Sequence, residues 1–261
     1  MFNHVTSADG TSIAYDELGQ GAPVVIVSGM FCDRERTRSL AEALAGHGRV
    51  VNYDRRGRGE SGDTAPYAVE REVEDLAALL DAVGGTAAVY GHSSGAGLAL
   101  RATASGLPVT RLVLHEPPYG PDDEASRAGA QALAVGVGAA IDEGRRADAV
   151  ALFMAASGLP SEMVDAMSHD PKMQALAPTM PYDLAVMDDL GGGTIPEDLV
   201  RAVTVPTLVI AGGASPDFFR DTADRLAALL PDGEHVVLDG QDHDAPAAVV
   251  APVVAEFLVD G

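Results

Sequence analysis

The sequence predicts an α/β fold, in which a mostly parallel sheet of eight strands carries helices on both faces. Short runs rich in β-forming residues alternate along the chain with runs that have the period of an amphipathic helix. This alternation is typical of a parallel sheet built from βαβ units. The chain has 261 residues, of which 47% are hydrophobic, and this is enough for one well-buried domain.

The predicted strands begin with a hairpin, formed by residues 3–8 and 11–16 around a turn at Asp9-Gly10. Six short apolar runs then predict the remaining strands, at 24–28, 50–53, 87–90, 111–114, 206–211 and 235–238. The run from Val24 to Ser28 is apolar almost throughout, as expected for a central strand that is buried on both faces.

Four helices are predicted around this sheet, at 34–46, with Asp33 as N-cap, and at 68–83, 95–104 and 246–259. Residues 117–205 contain no convincing strand, and prolines and glycines divide them into several helices. We therefore expect a core formed by 1–116 and 206–261, with 117–205 inserted as a helical lid over a site.

The composition excludes several classes of function. The formal net charge of −22 would repel a phosphate backbone, so we expect no nucleic-acid partner. No apolar run approaches the roughly 18–20 residues of a membrane span, and no secretory signal is visible. The single cysteine, Cys32, fits a reducing compartment, so we expect a cytoplasmic protein that acts on a small molecule. Gly191-Gly-Gly193 lacks the Lys-Ser/Thr of a phosphate loop, and neither a cofactor nor a metal is expected.

A candidate nucleophile lies in Gly91-His92-Ser93-Ser94-Gly95, which fits the pattern G-x-S-x-G between a predicted strand and a predicted helix. A tight strand-to-helix turn pushes the serine Oγ out of the sheet, and glycines at 91 and 95 let neighbouring backbone approach. The backbone N–H of Ser94, at the positive end of the helix, is placed to donate to a developing oxyanion. We interpret Ser93 as the nucleophile and His92 as a packing residue.

Together with this motif, three other segments make the chain resemble the α/β-hydrolase superfamily along essentially its full length: Asp9 to Tyr15, Ser28-Gly29-Met30 and Asp54-Arg-Arg-Gly-Arg-Gly-Glu-Ser-Gly62. The resemblance implies a serine hydrolase with a helical lid. It also implies that the N–H of Met30 is the second oxyanion donor. The 54–62 turn is interpreted as structural, with charges that can pair with one another.

His243 is the candidate base, because it follows the last predicted strand, where the family places its histidine and where open α/β sheets bind ligands.

The family's usual acid position is occupied by Ser215, which cannot carry a negative charge. Two carboxylates could replace it. Glu116 ends the strand that follows the nucleophile strand, which is an alternative acid position in the family, and Asp217 lies two residues past the usual position. The sequence favours Glu116 and leaves Asp217 open.

The predicted reaction is cleavage of an ester, thioester or lactone through a Ser93 acyl-enzyme, with His243 as general base. Six of the eight methionines fall within 117–205 and favour a small, largely apolar substrate. Two alternatives remain. One is a non-hydrolytic enzyme on the same scaffold, such as a cyclase, a cofactor-free lyase or a perhydrolase, and the other is a ligand-binding protein.

Overall fold

The structure is a computed structural model that describes residues 2–259. Its centre is one eight-stranded sheet with the order β1-β2-β4-β3-β5-β6-β7-β8, in which β2 alone runs antiparallel to its neighbours. The strands are β1 Asn3–Thr6, β2 Ser12–Gly19, β3 Pro23–Val27, β4 Arg49–Tyr53, β5 Ala87–His92, β6 Val109–His115, β7 Thr207–Gly212 and β8 Gly233–Leu238. The prediction of a mostly parallel, eight-stranded sheet is confirmed.

Helices cover both faces of the sheet because the central strands are apolar on both faces. In β3, Val25 and Val27 face one layer of the core, and Val24 and Ile26 face the other. The helices that follow individual strands are α1 Arg38–Leu44, α2 Val69–Ala82, α3 Ser94–Ala104, α10 Asp217–Leu229 and α11 Ala247–Val259. Apolar residues of α2, α3 and α10 fill one layer, and those of α1 and α11 fill the other.

Six α-helices lie between β6 and β7, in the part of the chain that we call the helical segment (117–205). They are α4 Glu124–Asp142, α5 Arg146–Ala156, α6 Ser161–Ser168, α7 Pro171–Leu176, α8 Met180–Val186 and α9 Glu197–Ala202. Prolines begin or precede several of them, since a proline suits the first turn of a helix. The helical segment has its own apolar cluster, separate from the two layers on the sheet.

The first helix is shorter than its sequence predicts. It begins at Arg38 instead of residue 34, and Thr37, not Asp33, occupies the N-cap position. The reason is a buried contact: the backbone N–H and the guanidinium of Arg34 both donate to Asp54, each at 2.7 Å. Asp33 instead accepts from the backbone N–H of Arg36 at 3.0 Å, which closes a turn ahead of the helix.

Candidate active site

Ser93 lies at the sharp turn between β5 and α3. Its backbone angles are φ 57° and ψ −129°, which is a strained conformation for a residue with a side chain. The neighbouring strand holds this turn, because the N–H of Ser93 donates to the carbonyl oxygen of His115 at 2.9 Å. The strain is therefore borne by the sheet, and a serine held in this way is typical of a nucleophile elbow.

Gly91 and Gly95 allow this turn to be tight. A Cβ on Gly91 would lie 2.5 Å from the carbonyl oxygen of Gly95, and a Cβ on Gly95 would lie 2.6 Å from that of Ser28. Any side chain would push α3 away from the strand or away from the 28–32 loop. Both glycines therefore have the close-approach role that the sequence predicts for them.

The 28–32 loop passes directly over the elbow. A Cβ on Gly29 would lie 2.8 Å from the Cβ of Ser93, so only glycine lets the loop come this near. Within residues 2–259, neither the N–H of Met30 nor that of Ser94 donates to another protein group. Both candidate oxyanion donors are thus free to bind a ligand.

The ring of His243 is held by Glu116. Nδ1 of His243 donates to Oε2 of Glu116 at 2.6 Å, and the carboxylate is fully buried while the imidazole is 35% exposed. The other carboxylate oxygen accepts from the N–H of Gly212 at 2.6 Å. Burial raises the pKa of Glu116, but the hydrogen bonds from His243 and Gly212 outweigh it and hold that pKa below its usual value. The buried carboxylate therefore stays ionised beside the ring.

The two candidate acids occupy different surroundings. Glu116 has a positive φ of 47°, which turns its side chain from the end of β6 toward His243. Ser215, at the family's usual acid position, is buried near Glu116, and among the described residues its hydroxyl has no partner at hydrogen-bond geometry. Asp217 is the first residue of α10, is 86% exposed and pairs with Arg220. The structure thus brings Glu116, and not Asp217, to the histidine.

His92 is more than a packing residue. Its Nε2 lies 2.9 Å from the carbonyl oxygen of His243, and because a carbonyl only accepts, the ring donates this hydrogen bond. Burial, reinforced by the nearby His243, lowers the pKa of His92 to about 4, so its ring is neutral. His92 therefore fixes the backbone of the His243 loop. Its position beside the serine in the motif was the only signal in the sequence.

Ser93 and His243 do not hydrogen-bond to each other in this structure, although the elbow and the His243 loop are neighbours. The rings of His92 and His243 are 4.6 Å apart between centroids, and the ring of Phe219 stacks on the His243 ring at 4.9 Å between centroids. Catalytic hydrogen bonds in ligand-free enzymes are often long and tighten when substrate binds.

The charges of the 54–62 turn do not pair with one another as expected. Arg56 pairs with Asp75 at 2.7 Å, and Asp54 pairs with Arg34. Arg55 and Arg58 both bind Asp183, a fully buried residue of α8 that the sequence did not single out. Three arginines within four residues of a turn indicate that buried acidic partners exist elsewhere in the chain, but no local pattern in the sequence locates those partners.

Neither a metal centre nor a membrane span is found in the part of the chain that the structure describes. Among residues 2–259, no group of three or more histidine, cysteine, aspartate or glutamate side chains is arranged to hold a metal ion. In the same residues, no helix combines the length and the apolar character needed to cross a bilayer.

Residues 24–253 match the model of the alpha/beta hydrolase family, and this range runs from within β3 to within α11. The chain belongs to the α/β-hydrolase family. A solved structure with 49% sequence identity is that of an alpha/beta hydrolase from Sphaerobacter thermophilus, with a TM-score of 0.90, covering 98% of this chain and 100% of that chain. Membership of the α/β-hydrolase family supports hydrolase activity on a small-molecule substrate.

Two curated proteins are more distant relatives of this α/β-hydrolase. A non-heme chloroperoxidase of Kitasatospora aureofaciens is 25% identical over 256 residues, which cover 91% of this chain and 90% of that protein. A putative carbamate hydrolase of Azorhizobium caulinodans is 37% identical over 83 residues, and the match covers 31% of this chain and 31% of the relative.

Proposed function

We propose that this α/β-hydrolase is a serine hydrolase that cleaves an ester, thioester or lactone through a covalent Ser93 acyl-enzyme. The observation that carries the proposal is the strained Ser93 elbow next to a histidine whose ring is held by a buried carboxylate. A nucleophile, its base and a group that orients the base are the three parts that such a reaction needs.

In the proposed first step, Nε2 of His243 takes the proton of the Ser93 hydroxyl as the oxygen attacks the substrate carbonyl. The ionised Glu116 stabilises the imidazolium that forms, and the N–H groups of Met30 and Ser94 donate to the oxyanion. When the tetrahedral intermediate collapses, the imidazolium returns the proton to the leaving alcohol or thiol. The acyl group then remains on Ser93.

In the second step, His243 takes a proton from a water molecule that attacks the acyl carbon. The new tetrahedral intermediate collapses, Ser93 leaves with the proton returned by the imidazolium, and the carboxylic acid is released. Apart from the attacking water, all groups that act on the substrate in both steps come from the protein, so the proposal includes neither a cofactor nor a metal.

We propose that the helical segment acts as the lid of this site and that the substrate is small and largely apolar. Two residues of the loop over the elbow, Met30 and Phe31, pack against the apolar cluster of the helical segment, and Phe31 meets Phe153 edge-on at 5.9 Å. The buried members of that cluster are all apolar: Val137, Ala140, Ala149, Val150, Met154, Ala177, Met180 and Leu184. An acyl chain entering between loop and lid would meet hydrocarbon and thioether groups.

Pre-steady-state hydrolysis of p-nitrophenyl esters tests the proposed function. Wild-type protein should give a burst of one p-nitrophenolate per active site, followed by slower turnover, with shorter acyl chains reacting as well as or better than long ones. Ser93→Ala should abolish both phases, whereas Ser161→Ala, a matched change in the exposed first turn of α6, should alter neither. A folded wild-type protein that releases no product from esters, thioesters or lactones would contradict the proposal.

A second candidate is perhydrolysis, favoured by the similarity to a non-heme chloroperoxidase over 256 residues. Here hydrogen peroxide instead of water attacks the acyl-enzyme, with its proton passing to His243, and a peroxycarboxylic acid leaves. The same Ser93 chemistry serves both reactions. The ratio of peracid to acid formed at equal turnover, measured with added hydrogen peroxide, distinguishes them.

A further inference from the structure

Asp183 of α8 is a buried carboxylate that connects the helical segment to the nucleophile elbow. Its side chain has no solvent exposure. Oδ1 accepts from Nη1 of Arg55 at 2.6 Å and from the hydroxyl of Ser94 at 2.7 Å, and Oδ2 accepts from Nη2 of Arg58 at 2.5 Å. The arginine charges outweigh the effect of burial and hold the pKa of Asp183 below its usual value. The carboxylate is therefore ionised.

The same two arginines hold the loop that carries the second candidate oxyanion donor. Nη1 of Arg55 donates to the carbonyl oxygen of Ser28 at 3.1 Å. Nη1 of Arg58 donates to the carbonyl oxygens of Gly29 and Cys32 at 2.6 and 3.2 Å. Met30 lies between these three anchored residues. Its peptide group is thus fixed from both sides by guanidinium groups that Asp183 in turn orients.

The charges of this cluster balance, which explains why it can be buried. Arg55 also makes two hydrogen bonds of 2.7 Å to the carboxylate of Glu72 in α2. Two guanidinium groups therefore face two carboxylates. Removing one member leaves an uncompensated buried charge, and such a charge is relieved by moving the groups around it. The groups that can move are the carbonyls of the 28–32 loop and the first turn of α3.

We propose that Asp183 is a positioning residue that sets the geometry of the oxyanion site by fixing the Met30 peptide through Arg55 and Arg58 and the start of α3 through Ser94. This inference rests on the proposed function, because it assigns a role only if Met30 and Ser94 bind an oxyanion. Since α8 belongs to the proposed lid, it also follows that the oxyanion site is complete only while Asp183 of α8 keeps its contacts with Arg55, Arg58 and Ser94.

Asp183→Asn tests the inference, with Asp75→Asn as the matched control. Asp75 is an equally buried carboxylate that binds an arginine of the same turn, Arg56, but neither residue contacts the 28–32 loop or the elbow. Both variants break a buried ion pair and lose stability. Only Asp183→Asn should lower kcat, by about 10- to 100-fold with KM within about threefold of wild type, because a small misplacement of donors weakens transition-state binding.

A transition-state analogue separates positioning from simple loss of stability. A trifluoromethyl ketone adds to the serine and places a negative oxygen at the oxyanion site. Its Ki should rise in Asp183→Asn by the same factor by which kcat/KM falls, whereas the Ki of a neutral amide analogue should not change. Equal kcat and equal ketone Ki in folded Asp183→Asn and Asp75→Asn would overturn the inference.

Ser94→Ala provides a second variant in case Asp183→Asn does not fold. It removes one hydrogen bond to Asp183, keeps the backbone N–H of residue 94 and leaves no buried charge unpaired. It should lower kcat by about fivefold and raise the ketone Ki in proportion; wild-type values for both would overturn the inference. Failure of the proposed function has a different signature, because wild-type protein would then form no ketone adduct at Ser93 at all.

Discussion

Glu116 and His243 are 127 residues apart in the chain and share a hydrogen bond of 2.6 Å between Oε2 and Nδ1. The bond joins the end of β6 to the loop after β8, with β7 between them in the sheet. An acid on β6 can reach this loop because Glu116 has a left-handed backbone conformation and because its own N–H is held by the carbonyl of Ile210 in β7, at 2.9 Å. The geometry makes the identity of the acid testable.

Replacing the acid should disable the enzyme without unfolding it. Glu116→Gln keeps the size of the side chain, but its amide can donate to Nδ1 and so favours the wrong tautomer of His243. We expect kcat to fall by about 10³- to 10⁴-fold. Asp217→Asn, the matched change at the exposed alternative, should leave kcat within about twofold of wild type. Steady-state kinetics on a p-nitrophenyl ester measures both, and a large loss in Asp217→Asn alone would contradict the assignment.

A carboxylate restored at the usual position of the family should rescue the Glu116→Gln variant. Ser215 is buried close to Glu116, so Ser215→Asp brings a negative charge near the same ring nitrogen. We expect the double variant to recover at least about tenfold in kcat over Glu116→Gln. Ser215→Asn in the same background is the control without charge. Ser215→Asp alone should lose activity, because two adjacent carboxylates cannot both ionise easily. Absence of any rescue would show that a carboxylate at position 215 cannot replace the carboxylate of Glu116.

Gly29→Ala should reduce activity through the loop over the elbow. The added Cβ would lie 2.8 Å from the Cβ of Ser93, so the 28–32 loop must lift and carry the Met30 N–H away from the oxyanion position. We expect kcat to fall by about 10²-fold, the typical effect of losing one oxyanion donor. Gly46→Ala is the control, since a Cβ there meets nothing within 4 Å. Equal activity of the two variants would argue against a donor at Met30.

Asp189→Asn should change the pH dependence of stability. Burial, then the charges of Asp188 and Asp183, raise the pKa of Asp189 to about 7. Between pH 4 and 7 the folded protein therefore holds a proton that the unfolded chain releases, so this group's contribution to stability is full below pH 4 and is lost as the pH rises to 7. Relative to wild type, the free energy of unfolding of Asp189→Asn should rise by about 1.4 kcal/mol per pH unit over this range.

Urea unfolding at pH 4.5, 6 and 8 measures that difference. Asp142→Asn, at an exposed carboxylate, is measured alongside as the control for the loss of one negative charge. A difference between Asp189→Asn and wild type that stays constant with pH would mean that Asp189 is ionised throughout the folded state.

The elbow and the histidine loop could be predicted because their signals are local. A strand, the five residues 91–95 and a helix follow one another directly, and His243 comes just after the last strand. The predicted start of α1 was wrong because the true start depends on a contact with a distant part of the chain. Arg34 is drawn into a buried contact with Asp54, 20 residues away, and helix periodicity carries no information about such a contact.

The acid and Asp183 depend on tertiary contacts that no local pattern specifies. Glu116 and Asp217 both follow strands at the same sheet edge, and what separates them is the positive φ of Glu116 together with the start of α10 at Asp217. Asp183 lies 128 residues from Arg55, in one of several short helices of similar composition. Its role becomes apparent only from the structure, in which arginines of the 54–62 turn donate to its buried carboxylate.

Covalent labelling with a fluorophosphonate, followed by peptide mapping, shows whether Ser93 is an activated nucleophile. We expect one adduct per wild-type molecule on the peptide that contains Ser93, no adduct in Ser93→Ala, and labelling slowed by about 10³-fold or more in His243→Ala. Folded wild-type protein that takes up no label, or that takes it up at a residue other than Ser93, would show that Ser93 is not the nucleophile.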